Sequence, residues 1–510
     1  MPQLHQVIAR NAERHPHKDA IVLDGHATCY QALQRSVEAT AALLARLGVK
    51  PGERIGLYAP MSVPLLAAYL ATLHCGAISA ATHHTLSRAK LVHQLRQSGA
   101  RVLITDRTDD LPALIEQAGL TQVIVTEPLA DCPPGVVELA SALAAQPPTA
   151  PPTLPADLER PTSIFYTSGS TFAPKGVLVN HRIMLAACAS VTRYLEITPE
   201  DRVLSYSTLA SDYGVYNTLM PLYVGATSVI ERRAPNGAED VLRVVERERV
   251  SGMHVFPPVF FLLAATDPHW QARVPSLRYL SSSGQALHVR HIQRIRQALP
   301  RVRLFSNYGL TECKRVSYLP PEDIDTHPTS VGKPLPGVSV YLVDEHLRPV
   351  ERPGQVGELL VTSDYLMLGY WQQPQANAEA FVEDAFGHAR LYRTGDLFRI
   401  DEQGYLYYVA RRDDVFARNI WNVNPREIEQ CLAAHPAVAE VRVVPVPDES
   451  AGHVPRACVV LDPAHADTTE HALLAHCQAH LDWHMVPTEC VFLAALPKTD
   501  SGKFTSKGLI

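Results

Sequence analysis

No C-x-x-C pair occurs among the nine cysteines of this 510-residue chain. Scattered thiols suit a reducing compartment, where they behave as small apolar residues. An odd count excludes a complete disulfide framework, and the lack of paired spacing argues against zinc sites despite 23 histidines. Charge of one sign is also scarce. A net charge of −6 provides no basic stripe for nucleic acid and no polybasic patch for anionic lipid. Long apolar runs are equally few. Val63 to Ala81 comes nearest, but Pro64, His74 and Gly76 predict a buried helix followed by a strand, because a membrane span needs about 20 unbroken apolar residues. The opening MPQLHQVIARNAERHPHKDA lacks the apolar centre of a signal peptide. The expectation is a cytoplasmic protein with no nucleic-acid and no membrane partner.

What is present is a globular composition, 46% apolar and 19% charged, in a chain long enough for two or more domains. From Asp201 to Leu287, RVLSYS, ATSVIE, MHVFPP and LRYLSSSG read as strands, and EDVLRVVERERV as an amphipathic helix. Strands separated by helices predict parallel βαβ units in a layered α/β domain. PPTAPPTLPADLERP, before Thr162, reads either as a domain boundary or as an ordered surface crossing. Beyond Tyr405, Asn424-Pro425-Arg426-Glu427 has the chemistry of a helix start: a cap, a proline at the first position and Glu at the third. A helix through Leu432, strands in VAEVRVVPVP and ACVVL, a helix in HALLAHCQAHL and a strand in CVFLAAL should form a small α+β unit. The predicted fold class is therefore α/β, a large layered N-terminal domain with mixed or parallel sheets plus a small α+β C-terminal domain.

The densest local signal is Tyr166-Thr-Ser-Gly-Ser-Thr-Phe-Ala-Pro-Lys-Gly176, directly after the predicted strand SIFY. Backbone N–H groups and hydroxyls of Thr167, Ser168, Gly169, Ser170 and Thr171 suit phosphate oxygens, and Lys175 can neutralise part of their charge. Composition alone fits a polar surface loop equally well. It is not a P-loop, since G-x-x-x-x-G-K-S/T is absent.

This segment resembles the phosphate loop of the adenylate-forming superfamily, which includes acyl-CoA synthetases, nonribosomal peptide synthetase adenylation domains and luciferases. Further segments follow in the family's order. Asn307-Tyr-Gly-Leu-Thr-Glu312 resembles the adenine and magnesium segment. The resemblance implies that Asn307, Tyr308 and Gly309 meet the nucleotide, Tyr308 stacking on adenine. It gives Thr311 the α-phosphate and Glu312 the Mg²⁺, a hard cation suited to oxygen ligands. Without it, Thr-Glu after a Tyr-Gly turn reads as a helix start. Tyr392-Arg-Thr-Gly-Asp396 resembles the ribose-binding segment, with Asp396 accepting from the sugar hydroxyls. Gly357-Glu358-Leu359 and Gly369-Tyr370-Trp371 read as scaffold. Gly404 to Asp414 resembles the hinge, Arg411 approaching ribose and phosphate and Asp413 sitting at the pivot. Pro497-Lys-Thr-Asp-Ser-Gly-Lys503 resembles the C-terminal lysine loop, in which Lys503 bridges substrate carboxylate and α-phosphate. On its own it is an exposed turn with a solvated lysine. The implied domains are 1–411, binding ATP and the acid, and 412–510, rotating and carrying Lys503.

The implied activity is that of an AMP-forming carboxylate ligase using ATP and Mg²⁺. The acyl group would pass from acyl-adenylate to coenzyme A or the phosphopantetheine of a carrier protein. Three departures bear on this. Phe172 stands where the family has a glycine, a position at which Gly tolerates φ > 0. Ala417 and Ile420 stand where the family has Lys and Gly, and in thioester-forming members that Gly lies near the pantetheine tunnel. Either the lineage has drifted with compensation, or no thiol arm enters and the acceptor is an amine, making the chain an amide ligase. A third reading, a non-catalytic nucleotide sensor, must explain why Lys175, Glu312, Asp396 and Lys503 are all retained. The acid is expected among Ser211 to Leu222, His254 to Pro258 and Ser281 to Ala286, with Asp212, Tyr213, Val255, Ser283, Gly284 and Gln285 as substrate-binding residues. Asp212 either pairs with a substrate amine or caps the following helix. A small or medium organic acid, cyclic or aromatic, fits this lining.

Overall fold

The computed structural model describes residues 2–129, 131–145, 153–167, 174–206, 208–255, 257–264, 270–283, 287, 289–418, 421–448, 451–498 and 509. Its centre is a pair of large sheets with helices between them. The first has the spatial strand order Lys333–Pro334, Lys314–Leu319, Arg303–Leu310, Tyr279–Ser283, Gly252–Val255, Arg202–Ser205, Thr227–Ile230, Asp19–Leu23 and His26–Cys29. From Arg303–Leu310 to Asp19–Leu23 every pairing is parallel, while both edges are closed by antiparallel hairpin partners. All four strands expected between Asp201 and Leu287 lie here, and the amphipathic helix Ala238–Glu248 buries Val241, Leu242, Val244 and Val245 beside them. Consecutive parallel strands put all their carboxyl ends at one edge of the sheet, which is where α/β folds build sites.

The second sheet runs Gly369–Tyr370, Lys175–Asn180, Pro161–Thr167, Ile78–Ala81, Arg54–Tyr58, Val102–Thr105, Gln122–Val125 and Val136–Glu138. One apolar core joins the two sheets through the helices Leu4–Arg14, Tyr30–Arg46, Val63–His74, His181–Tyr194 and Asp212–Val224. Val63–His74 is apolar all round, as a helix buried on every side must be. Ser62 caps it by accepting from the Leu65 N–H, and Gly76 turns the chain at φ +67° into the strand Ile78–Ala81. Pro161–Thr167 pairs in parallel with Ile78–Ala81 inside this same sheet, so the elements on either side of the proline-rich stretch share one core. No helix among the described residues is long and apolar enough to cross a membrane.

A third, antiparallel sheet follows: Val338–Val343, Val356–Ser363, His388–Ile400, Phe381–Ala385 and Leu406–Arg411. After the short helical turn Arg412–Asp414 the chain builds a fourth sheet from Phe416–Arg418, Trp421–Val423, Val438–Asp448, Gly452–Leu461 and Glu489–Phe492. Its separate core includes Val423, Ile428, Leu432, Val443, Val459 and Leu473. The helix Pro425–Ala434 begins where the sequence places it. Asn424 Oδ1 accepts from the Arg426 N–H at 3.0 Å, and its Nδ2 donates to Glu427 at 3.2 Å. The expected second helix is Glu470–His480.

Candidate active site

The hairpin Arg303–Leu310 and Lys314–Leu319 organises the centre of the site. Thr311 and Glu312 occupy its turn, so the helix start read from Thr-Glu is replaced by a tight reversal between paired strands. Gly309 makes the reversal possible, since a Cβ there would lie 1.9 Å from the Lys314 carbonyl oxygen. The register shifts between Tyr308 and Gly309, a bulge that re-aims the side chains following the turn.

Tyr308 points across to the third sheet. Its hydroxyl donates to Asp396 Oδ2 at 2.5 Å while its ring meets Phe398 edge-on, 4.7 Å between centroids. Asp396 is 2% exposed and takes a second bond, on Oδ1, from Arg411 Nη1 at 3.0 Å. Asp396 and Arg411 are direct neighbours across adjacent strands, which fixes this ion pair by register. Gly395, at φ +68°, supplies the left-handed step of the Thr-Gly-Asp segment, and the Asp396 N–H donates to Thr394 Oγ1 at 3.0 Å. Burial raises the Asp396 carboxyl above its ordinary pKa, with Arg411 and Tyr308 opposing that rise.

Glu312 faces a different cluster. Its Oε1 accepts from the Tyr370 hydroxyl at 2.9 Å, and Tyr370 lies 3.3 Å from the Tyr392 hydroxyl. Lys175 Nζ stands 4.9 Å over the Tyr370 ring, because Gly369–Tyr370 pairs with the beginning of the Lys175–Asn180 strand. Gly369-Tyr370-Trp371 therefore does more than support the fold: Tyr370 touches Glu312 directly, a role its sequence context does not disclose. Glu358 stays structural, receiving Arg393 at 2.7 Å and Arg412 at 2.9 Å.

Asp212 belongs to a third cluster. Thr311 Oγ1 donates to its Oδ1 at 2.9 Å, and Lys314 Nζ lies 3.8 Å from its Oδ2. The helix Asp212–Val224 is capped one residue earlier than expected, by Ser211, whose hydroxyl accepts from the Gly214 N–H at 3.1 Å. The Asp212 side chain is thus not the cap; it pairs with Lys314 and accepts from Thr311. That lysine is buried, donates to the Thr311 carbonyl at 2.7 Å and sits over the Phe165 and Tyr216 rings. Burial lowers the Lys314 pKa and Asp212 opposes the shift.

The acid-binding expectation falls on the inner face of the first sheet. In register, His254 lies beside Ser281, and Ser283 beside Asn307. Asn307 uses its whole amide: Nδ2 donates to Ser281 Oγ at 3.0 Å and the Ser282 carbonyl at 2.9 Å, and Oδ1 accepts from Tyr194 at 3.0 Å. The Tyr213 hydroxyl donates to the Val255 carbonyl at 3.4 Å. Val255 departs from expectation, because its side chain packs into the apolar cluster with Leu204, Met253 and Leu280 on the opposite face. Thr167 is the last residue of its strand, its hydroxyl bonding the Lys175 carbonyl at 3.4 Å. Asp413 is exposed beside Arg412 in the turn between the third and fourth sheets. Ser168, Gly169, Ser170, Thr171, Phe172, Gly284, Gln285, Ile420 and Lys503 lie outside the described residues, as does the Ala417 side chain. Lys314 and Arg315 join the site without having been expected there. The available signal was two consecutive bases opening an otherwise apolar strand, KRVSYL.

Comparison with known proteins agrees with this layout. The AMP-binding enzyme family model matches residues 8–371, and the AMP-binding enzyme C-terminal domain model matches residues 427–503. A linear gramicidin synthase of Brevibacillus parabrevis is 31% identical over 99% of this chain, which spans only 6% of that relative. Sulfoacetate–CoA ligase of Cupriavidus necator is 31% identical over 98% of this chain and 96% of its own length. Among solved structures, an anthranilate CoA ligase in complex with anthranoyl-AMP superposes with a TM-score of 0.87 at 26% identity, covering 100% of this chain and 96% of that one. Matched over most of its length by the family model, and aligned almost end to end with the sulfoacetate ligase, the chain belongs to the AMP-binding enzyme family.

Proposed function

We propose that this chain is an ATP-dependent, AMP-forming acid ligase that activates a small organic acid as its acyl-adenylate and transfers the acyl group to a thiol, coenzyme A or a carrier phosphopantetheine. The observation that carries the reading is the convergence of Tyr308, Glu312, Asp396 and Arg411 around one hairpin at the carboxyl ends of parallel strands. Each group suits its role. An ionised carboxylate has about four acceptor sites; Asp396 uses one for Tyr308 and one for Arg411, leaving capacity for ribose hydroxyls. Glu312 engages Oε1 alone among the described residues, so Oε2 is a hard oxygen donor available to Mg²⁺. When bound, that cation would neutralise phosphate charge. Lys175 supplies a positive charge over the ring of Tyr370, whose hydroxyl holds the same carboxylate.

In the first half-reaction a substrate carboxylate oxygen attacks the α-phosphorus of ATP in line. The bond to the bridging oxygen breaks and pyrophosphate leaves. Thr311 orients the α-phosphate, and Lys503 stabilises the developing charge. Positioning and charge neutralisation provide most of the acceleration. In the second, the domain 412–510 turns about Asp413, withdraws Lys503 and admits the thiol, whose sulfur attacks the acyl carbon while AMP departs. Acid-dependent exchange of labelled pyrophosphate into ATP tests the first half. The Lys503→Ala variant should lose most exchange while its thermal midpoint stays unchanged; normal exchange would remove Lys503 from the mechanism. No exchange with any acid in a broad panel would favour the nucleotide sensor.

Ala417 and Ile420, in place of the family's Lys and Gly, favour one second reading: transfer to an amine with formation of an amide. Mass spectrometry of products formed with ATP, acid and either coenzyme A or a set of amines separates the two. Rapid thioester formation would eliminate the amide ligase.

A further inference from the structure

Arg315 is a buried cation without a counter-ion among the described residues. It is 7% exposed, its Nη1 finds no hydrogen-bond partner there, and it forms no ion pair there. A guanidinium keeps its proton at any physiological pH, so burial cannot neutralise it as it would a lysine. A buried charge is normally matched by an opposite one. Asp212, the carboxylate on the facing helix, pairs instead with the adjacent Lys314 and accepts from Thr311.

The surroundings say where the missing charge belongs. The bulge after Tyr308 turns Arg315 onto the inner face of the sheet, opposite Gly309. Its charge is felt at Tyr194, at Tyr213 and at His254, three strands across from its own. His254 is 1% exposed, and both of its ring nitrogens also lack partners among the described residues. Burial, with Arg315 adding to it, holds the His254 pKa down to about 3, so the ring stays neutral and can donate from one nitrogen. Two unsatisfied donors thus share with Ser281 and Asn307 the face where the acid is expected, Arg315 at the end nearer the turn that carries Thr311 and Glu312 and His254 at the far end.

We propose that Arg315, assisted by His254, recognises a second anionic group on the acid, so that the substrates are carboxylic acids carrying a distal carboxylate or sulfonate. This rests on the adenylation reading and specifies its substrate class. A charge-assisted, two-pronged contact with a planar carboxylate is what a guanidinium provides best. The site also rejects an acid lacking the second anion, because binding a neutral tail would leave the guanidinium desolvated and unpaired.

The test is pyrophosphate exchange by the full chain with acids matched in length: hexanoate against adipate, and 4-methylbenzoate against terephthalate and 4-sulfobenzoate. The doubly charged member of each set should be favoured in kcat/KM by at least about a hundredfold, the penalty for leaving a buried polar group without its partner. In Arg315→Met, which keeps length without charge, that preference should collapse or invert, and Arg315→Lys should restore part of it. Wild-type exchange that favours the neutral acids overturns the proposal and leaves adenylation standing. Equal loss on charged and neutral acids in Arg315→Met also overturns it, since Arg315 would then hold the reacting carboxylate. No exchange with any member, from folded protein, overturns the adenylation reading itself.

Discussion

Replacing Tyr308 with phenylalanine removes one hydroxyl and leaves the ring to keep its edge contact with Phe398. What is lost is the 2.5 Å bond to Asp396, a carboxylate 2% exposed. Hydrogen bonds to charged groups contribute about 1.5–3 kcal/mol, and a buried acceptor deprived of its donor lies in the upper part of that range. The expected loss is about 2 kcal/mol, which for a domain of this size lowers the melting temperature by roughly 2–3 °C. Scanning calorimetry of a double-mutant cycle isolates the term. In an Asp396→Asn background Tyr308→Phe should cost half as much or less, because the acceptor is then neutral. The effect also carries a pH signature. The Tyr308 bond favours ionised Asp396, so its contribution is complete above the folded Asp396 pKa and disappears as pH falls through it. Burial has raised that pKa, so the loss sets in at a higher pH than for an ordinary aspartate. An equal melting shift in both backgrounds would refute the charge-assisted bond and the assignment of Tyr308 as the support of Asp396.

Other perturbations reach the remaining clusters. Tyr370→Phe takes the donor from Glu312, and the concentration of Mg²⁺ needed for half-maximal exchange should rise by about tenfold, as for other supports of a metal ligand; an unchanged Mg²⁺ titration would leave Tyr370 as scaffold. Asp212→Ala strands the buried Lys314 ammonium and should cost about 3 kcal/mol or more in urea unfolding. Most of that loss should return in the Asp212→Ala, Lys314→Met pair, and failure of the second change to rescue would contradict the ion-pair account. Gly309→Ala drives a methyl group into the Lys314 carbonyl, 1.9 Å away. Destabilisation of about 3 kcal/mol or more is expected, with loss of exchange, and a variant that melts normally would show that the hairpin has room to shift.

The residues that proved legible in the sequence are those whose chemistry is local. Asn424 and Pro425 start a helix because cap and fixed φ act within one turn. The alternation of strand and helix between Asp201 and Leu287 declares parallel pairing, and the apolar girth of Val63–His74 declares burial. Strand order is another matter. Asp19–Leu23 pairs with Thr227–Ile230, and nothing within either segment specifies a neighbour some two hundred residues away. The same limit governed the site. Thr-Glu after Tyr-Gly has the local chemistry of a helix start, and only the pairing of KRVSYL with the strand before it converts that into a reversal. Tyr370 reads as scaffold until the pairing of Gly369–Tyr370 with Lys175–Asn180 carries its hydroxyl to Glu312. Asp212 offers a cap or an amine partner by its own chemistry; Ser211 takes the cap, and Thr311 and Lys314 reach Asp212 from a hairpin some hundred residues on. Charge balance follows from this. Lys314 and Arg315 are adjacent in the sequence and look alike there, yet among the described residues one meets a carboxylate of its own chain and the other does not. That difference follows from the hairpin register, which sends the two side chains to different neighbours, and from nothing in the dipeptide. The fold settles which of two neighbouring cations is neutralised internally, and so which one remains for a ligand.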